Sequence, residues 1–105
     1  MVKRFEIYLL NLDPVIDGDP KNSRPCVVVS PDEMNRNLSS VIVAPVSSAD
    51  KKYPTRVRFD FLDKKRAVVL DQIRTVESER LFQKIGEVSG GAREKVVSVL
   101  LEMFA

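Results

Sequence analysis

A chain of 105 residues is large enough for one compact core and too short for separate binding and catalytic domains, so residues 1–105 are read as a single domain. Its 44% apolar and 30% charged content is ordinary for a water-exposed globular chain, and its apolar runs stop far short of the roughly 20 residues that cross a bilayer. Seventeen basic residues against fifteen acidic ones, net +2, permit an anionic partner without demanding one. The chain has no histidine and a single cysteine, Cys26. An imidazole base, a His-held metal, a Ser-His-Asp triad and an internal disulfide are therefore all excluded. The first twelve residues lack the apolar core and small-residue cleavage site of a secretory leader, so a cytoplasmic location is expected.

In chain order, Lys3 to Leu10 places Phe5, Ile7 and Leu9 at period two and predicts a half-buried first strand. Asp13 to Ser23, with two prolines, a glycine and three aspartates, reads as a long loop. Pro25 to Ser30, rich in valine, reads as a central strand covered on both faces. Pro31 to Leu38 has room for one helical turn. Val41 to Val46 is a second buried strand that should end or bulge at Pro45, bringing Val46, Ser47 and Ser48 to a rim.

A basic linker follows, and Arg56 to Phe61 then alternates, with Val57, Phe59 and Phe61 inward and Arg56, Arg58 and Asp60 outward. Leu62 to Arg66 reads as a turn. Ala67 to Leu70 and Ile73 to Val76 read as strand on either side of a polar interruption at Asp71 and Gln72. Glu77 to Lys84 suggests a short helical turn and Ile85 to Val88 a brief strand. A closing helix, capped by Ser89, should pack through Val96, Val97, Leu100, Leu101 and Phe104, with Val99 and Met103 free to meet a second copy. Five or six short strands and one terminal helix, without strand-helix alternation, predict a mainly β fold: a small bent sheet or open barrel.

The charge is polarised. Residues 51 to 66 hold seven basic and two acidic side chains, net +5, which leaves −3 for the rest of the chain. Arg56 and Arg58 face the solvent side of their strand, where they either meet water or attract phosphate. Arg24 ahead of a buried strand, Ser47 and Ser48 at the end of another, and Asp71, Gln72 and Arg74 within a third are the polar intrusions that call for a reason. An Arg24–Asp71 or Arg74–Asp71 ion pair is the structural explanation, and a phosphate site the functional one. Tyr8 and Tyr53 are the better candidates for stacking on a base. Cys26 reads as a core residue.

Six segments in order, YLLNLDP from Tyr8, RPCVVVS from Arg24, VIVAPVSS from Val41, YPTRV from Tyr53, AVVLDQIRTV from Ala67 and LFQKIGEVS from Leu81, resemble the MazF/PemK-like ribonuclease toxins of bacterial toxin-antitoxin systems. The resemblance implies a small SH3-like barrel with a C-terminal helix, acting as a homodimer. It also implies cofactor-free, metal-independent cleavage of single-stranded RNA (mRNA) within a short sequence, leaving 2′,3′-cyclic phosphate and 5′-hydroxyl ends. The family's catalytic arginine falls on Arg24 and its catalytic hydroxyl, usually threonine, on Ser47. Asn22 and Ser23 border the arginine, and the loop before it, Asp19-Pro20-Lys21-Asn22-Ser23, departs from a common Glu-Gln-containing form and leaves base specificity open. Asp71 is expected to order Arg24, or with Gln72 to read a base, beside Arg74. Asn35, Arg36, Ser48, Lys51, Lys52, Arg56 and Arg58 are expected to guide the strand. A cognate antitoxin, acidic and disordered when free, would cover the basic groove. Two other classes stand beside this one: a gyrase poison of the CcdB type and a noncatalytic nucleic-acid-binding regulatory domain.

Overall fold

The computed structural model describes residues 1–12, 22–48 and 52–105; Asp13 to Lys21 of the expected loop, and Lys51, lie outside them. Among the described residues one sheet contains seven strands: β1 (Glu6–Asn11), β2 (Ser23–Val28), β3 (Ser40–Ser48), β4 (Arg56–Phe61), β5 (Lys64–Val69), β6 (Arg74–Glu77) and β7 (Leu81–Glu87). Helix α1 (Asp32–Asn37) follows β2, and α2 (Gly91–Phe104) ends the chain. The pairing is antiparallel in the order β4-β5-β3-β2-β1-β7, with β6 also on β3. The mainly β class with a C-terminal helix thus holds.

Local chemistry explains most of the boundaries. Leu62 and Asp63 both have positive φ, 53° and 62°, and join Phe61 to its partner Lys64. This two-residue reversal matches the twist of the strands it links. It also extends β5 back to Lys64, so Lys64 to Arg66 are strand where the sequence predicted turn. β5 and β6 are two lengths of one path, interrupted by a 3-10 turn at Leu70–Gln72. β3 pairs β6 through Val43 and β5 from Val46 onward. Pro45 stands at the switch, opposite the interruption. Because Ile42 turns its carbonyl toward Val29 at the β2 side, alternation turns Pro45 to the other side, where no ladder donor is needed. The strand therefore runs on to Ser48 instead of ending at the proline.

The sheet is buried on both faces. One core contains Ile7, Val27, Val29, Ala44, Val57, Phe59, Val68 and Leu70 with Val88, Val96 and Val99; a second, on the other face, contains Leu10, Cys26, Val28, Val41, Val43, Val76 and Leu81. β1 lies between β2 and β7, so it is a central strand with Leu10 as buried as Ile7, not the half-wet strand expected. Phe61 of β4 reaches the opposite end of the strand order, where a Cβ on Gly86 of β7 would stand 2.8 Å from its ring. The sheet is thus curled until its first and last strands touch.

Helix α2 is rotated from its expected setting. Val96 and Val99 are buried, with Leu100 and Met103 packed on the same core. Leu101 and Phe104 are 66% and 71% exposed. The spacing of Val96, Val99, Leu100 and Met103 makes one face of a helix, and Val97, Leu101 and Phe104 make a second apolar stripe. Its N-cap is Gly90 at φ 62° instead of Ser89, a backbone setting glycine adopts without strain.

Candidate active site

The sheet register decides which side chains can meet. Arg58 pairs with Ala67 and Ala67 with Ser47, and directly paired residues share a face. Ser47 shares that face with Pro45 and Val43 by alternation. Pro45 pairs with Cys26, two residues from Arg24, and Val43 pairs with Arg74. Arg24, Ser47, Arg58, Arg56 and Arg74 therefore stand on one face, around a floor of Cys26, Pro45, Val43 and Ala67. Continuing the Cys26–Pro45 register by two residues sets Arg24 against Ser47, where β3 has already turned to β5.

Both candidate groups rest on weak local contacts. Arg24 is exposed and donates from one guanidinium nitrogen to the carbonyl of Ser23 at 2.8 Å. The Ser47 hydroxyl donates to the carbonyl of Ser48 at 3.1 Å. Among the described residues no carboxylate pairs with Arg24, Arg58, Arg74 or Lys52. A cluster of uncompensated cations on one face can receive an anion without first breaking an ion pair.

Several expectations are corrected by the same register. Asp71 accepts from the Thr55 hydroxyl at 2.9 Å and from Arg56 at 3.5 Å; it orders Arg56 instead of Arg24 or Arg74, and the hydrogen bond from Thr55 is the chief cause of its lowered pKa. Ser23 and Ser48 lie at odd steps from the site and send their side chains to the other face, so each contributes a backbone carbonyl. Ser23, buried, faces Asn11 across the ladder. Asn22 holds the hairpin base through its carbonyl, 2.9 Å from the Leu12 N–H. Asn35 is buried. It accepts from the Ser30 hydroxyl at 2.5 Å and donates to the Ser30 carbonyl at 3.1 Å, tying α1 to β2. α1 leaves the end of β2 remote from Arg24, six extended residues or roughly 20 Å away, which removes Asn35 and exposed Arg36 from the site of this chain. Gln72 is exposed beside Asp71.

Tyr8 is half-buried against the second core, its hydroxyl donating to Glu6 at 3.1 Å. Tyr53 is 46% exposed. Burial raises the Cys26 thiol to about 12 against the opposing charge of Arg74, so it stays protonated at neutral pH. Sequence reasoning overlooked Arg80, whose guanidinium donates to the carbonyl of Asn11 at 3.1 and 2.6 Å and to that of Leu12 at 3.2 Å. It clamps the end of β1, hence the hairpin that carries Arg24. A sequence separation of 69 residues leaves no local pattern to betray it. Among the described residues no three acidic or cysteine side chains converge as a metal site would require, and no helix is long and apolar enough to cross a membrane.

The chain is 31% identical over 106 residues to the endoribonuclease EndoA of Bacillus subtilis (strain 168), with 95% of this chain and 91% of the relative covered. Its fold matches that of a mycobacterial endoribonuclease solved in complex with its cognate antitoxin, at a TM-score of 0.82 and 22% identity, covering 99% of this chain and 95% of the other. It matches the MazE-MazF complex of Deinococcus radiodurans at 0.79 and 22% identity, covering 99% and 95%. The sequence profile of the PemK-like, MazF-like toxins of type II toxin-antitoxin systems fits residues 3–104, essentially from end to end, and the chain belongs to that family.

Proposed function

We propose that this protein is a sequence-specific endoribonuclease that cuts single-stranded mRNA without a metal, and that Arg24 and Ser47 carry the reaction. The observation behind the reading is their shared face and shared end of the β2–β3 pair, with Arg24 free of any carboxylate among the described residues. The 31% identity to an endoribonuclease adds to it.

RNA supplies its own nucleophile. The 2′-oxygen forms a bond to the neighbouring phosphorus and loses its proton, the bond to the 5′-oxygen breaks, and that oxygen takes up a proton. The products are a 2′,3′-cyclic phosphate and a 5′-hydroxyl. The protein must hold the line of attack and stabilise the charge on the pentavalent phosphorus. Arg24 exchanges the Ser23 carbonyl for a nonbridging oxygen and the leaving oxygen, and Ser47 exchanges the Ser48 carbonyl for the other nonbridging oxygen. The guanidinium is an electrostatic partner here and not a base. Arg74 and Gln72 border the site as strand-binding or base-reading groups.

The curled sheet, with Phe61 against Gly86, supports an SH3-like barrel. The open stripe of Val97, Leu101 and Phe104 supports a homodimer. Unpaired cations on the site face suit a cognate antitoxin whose acidic segment competes with RNA. Incubating the purified chain with a long single-stranded RNA in EDTA and mapping the ends tests the reading: discrete cuts with cyclic phosphate ends are expected. No cutting in EDTA, restored by a divalent ion, would overturn the metal-free chemistry, and no cutting under either condition would overturn the enzyme.

A further inference from the structure

A cleft of about 350 Å³ separates β4 from α2, lined by Lys52, Tyr53, Arg56, Arg58 and Lys95. The sequence pointed to Lys52, Arg56 and Arg58, but not to Lys95, which α2 brings across from 37 residues farther along the chain than Arg58. Four cations face one aromatic ring there. Arg56 lies over the Tyr53 ring, 4.6 Å from its centroid; Asp71 holds Arg56, and the Thr55 hydroxyl holds Asp71. The guanidinium thus backs one face of the ring, and Tyr53 as a residue remains 46% exposed.

We propose that this cleft is a flanking-nucleotide subsite, in which a base beside the cleavage position stacks on Tyr53 and its phosphates run along Lys52, Arg58 and Lys95. The inference rests on the endoribonuclease reading and gives it a second point of contact with RNA. The row Ser47, Ala67, Arg58 spans two strand spacings, roughly 10 Å, so one strand of RNA can occupy both places at once. Small, buried Ala67 between them leaves the path open. Glu94 and Glu102 line the neighbouring cleft, which shares Tyr53, Arg56 and Lys95 with this one. They repel phosphate, which favours the Lys52 and Arg58 side for the backbone, with Lys95 between the two clefts. A stack between an aromatic ring and a base requires no particular base, whereas an acidic peptide would use the cations and ignore the ring.

The test uses the intact protein and an RNA oligonucleotide spanning a mapped cleavage position, with a 2′-deoxy sugar there to block cutting. Companion probes have one abasic residue at each of the three positions on either side. Tyr53→Leu is expected to weaken binding of the full probe about tenfold, and Tyr53→Phe to stay within threefold. One abasic probe should bind the parent about tenfold more weakly and show no further loss with Tyr53→Leu. Equal losses by Tyr53→Leu on every probe would mark a surface for phosphate or acidic peptide alone and overturn the proposal, as would full-probe binding by Tyr53→Leu at the parent level. A parent that cleaves RNA beside such an unaffected variant overturns this subsite only. A parent that neither binds nor cleaves overturns the endoribonuclease reading with it. Circular dichroism melts of each variant confirm that the comparison is between folded proteins.

Discussion

At the scale of single residues, Arg24 and Ser47 are held by carbonyls of their own neighbours, contacts that cost little to exchange for phosphate oxygens. Lysine at position 24 keeps the charge but loses the planar fork that can hold two oxygens together. Arg24→Lys should therefore bind an uncleavable RNA within a few-fold of the parent and cut the ribonucleotide form roughly 10²-fold more slowly or worse at saturating enzyme. Single-turnover rates beside binding isotherms separate the two effects. A parent-like rate would make Arg24 a binding residue only. Ser47→Ala should likewise lose roughly 10²-fold in turnover, while Ser47→Thr keeps the hydroxyl and should match the parent. A different residue, Glu6, contributes to acid stability. Burial pushes the Glu6 carboxyl up, but contacts with the Lys84 ammonium at 2.9 Å, the Lys3 N–H at 2.6 Å and the Tyr8 hydroxyl outweigh it, so its pKa is lowered from 4.5. A lowered carboxylate contributes stability that is complete above its unfolded value and disappears as pH falls through its folded one. Glu6→Gln should cost about 1–2 kcal/mol at pH 7, and the gap in melting temperature should close as pH falls below 4.5. A gap that stays constant down to pH 2 would remove Glu6 as the cause.

At the scale of elements, the curl of the sheet depends on a missing side chain. Gly86 pairs with Ile7 on β1, and a Cβ on it would stand 2.8 Å from the Phe61 ring. Gly86→Ala must push the ring off its packing, at a cost of about 1–3 kcal/mol, which urea denaturation would register as a lower midpoint. Pairing Gly86→Ala with Phe61→Leu should recover part of the loss. If the alanine variant is as stable as the parent, the contact between the two ends of the sheet is soft. The break at Leu70–Gln72 has an equally definite role: it puts Asp71 beside Thr55 and Arg56 and gives Pro45 a place where its missing donor does no harm.

At the scale of the molecule, α2 covers one core with Val96, Val99, Leu100 and Met103 and leaves Val97, Leu101 and Phe104 uncovered, beside Arg4 in a shallow groove. An exposed apolar stripe of this kind is usually covered by a partner. Light scattering at micromolar concentration should give about twice the chain mass of 11.9 kDa, and Leu101→Glu should shift the protein toward that single mass without unfolding it. A parent that stays monomeric would refute the dimer. The residues exchanged roles relative to the sequence reading, since Val99 and Met103 are inside and Leu101 and Phe104 outside. Eight apolar residues crowd the 14-residue helix, so its pattern fits more than one rotation, and the sheet beneath selects among them.

Legible in the chain alone were the mainly β class, the buried strands around Val27 and Val43, the terminal helix, the exclusion of imidazole chemistry and, through ordered segments, the family. These are properties of local periodicity and composition, which a linear chain displays directly. Tertiary structure decided the rest. Asp71 was legible as a polar intrusion, but its partner is Arg56 and not Arg24, because the 3-10 turn sets its direction. Asn35 was legible as polar, but the Ser30 contact buries it. Lys95 joins the Tyr53 cleft and Arg80 grips β1 only after the sheet curls. Ser47 and Ser48 are adjacent and chemically alike, yet the strand's period of two sends one toward Arg24 and the other away. Which side chains share a face follows from strand register, and register is a contact between distant segments that no window along the sequence contains.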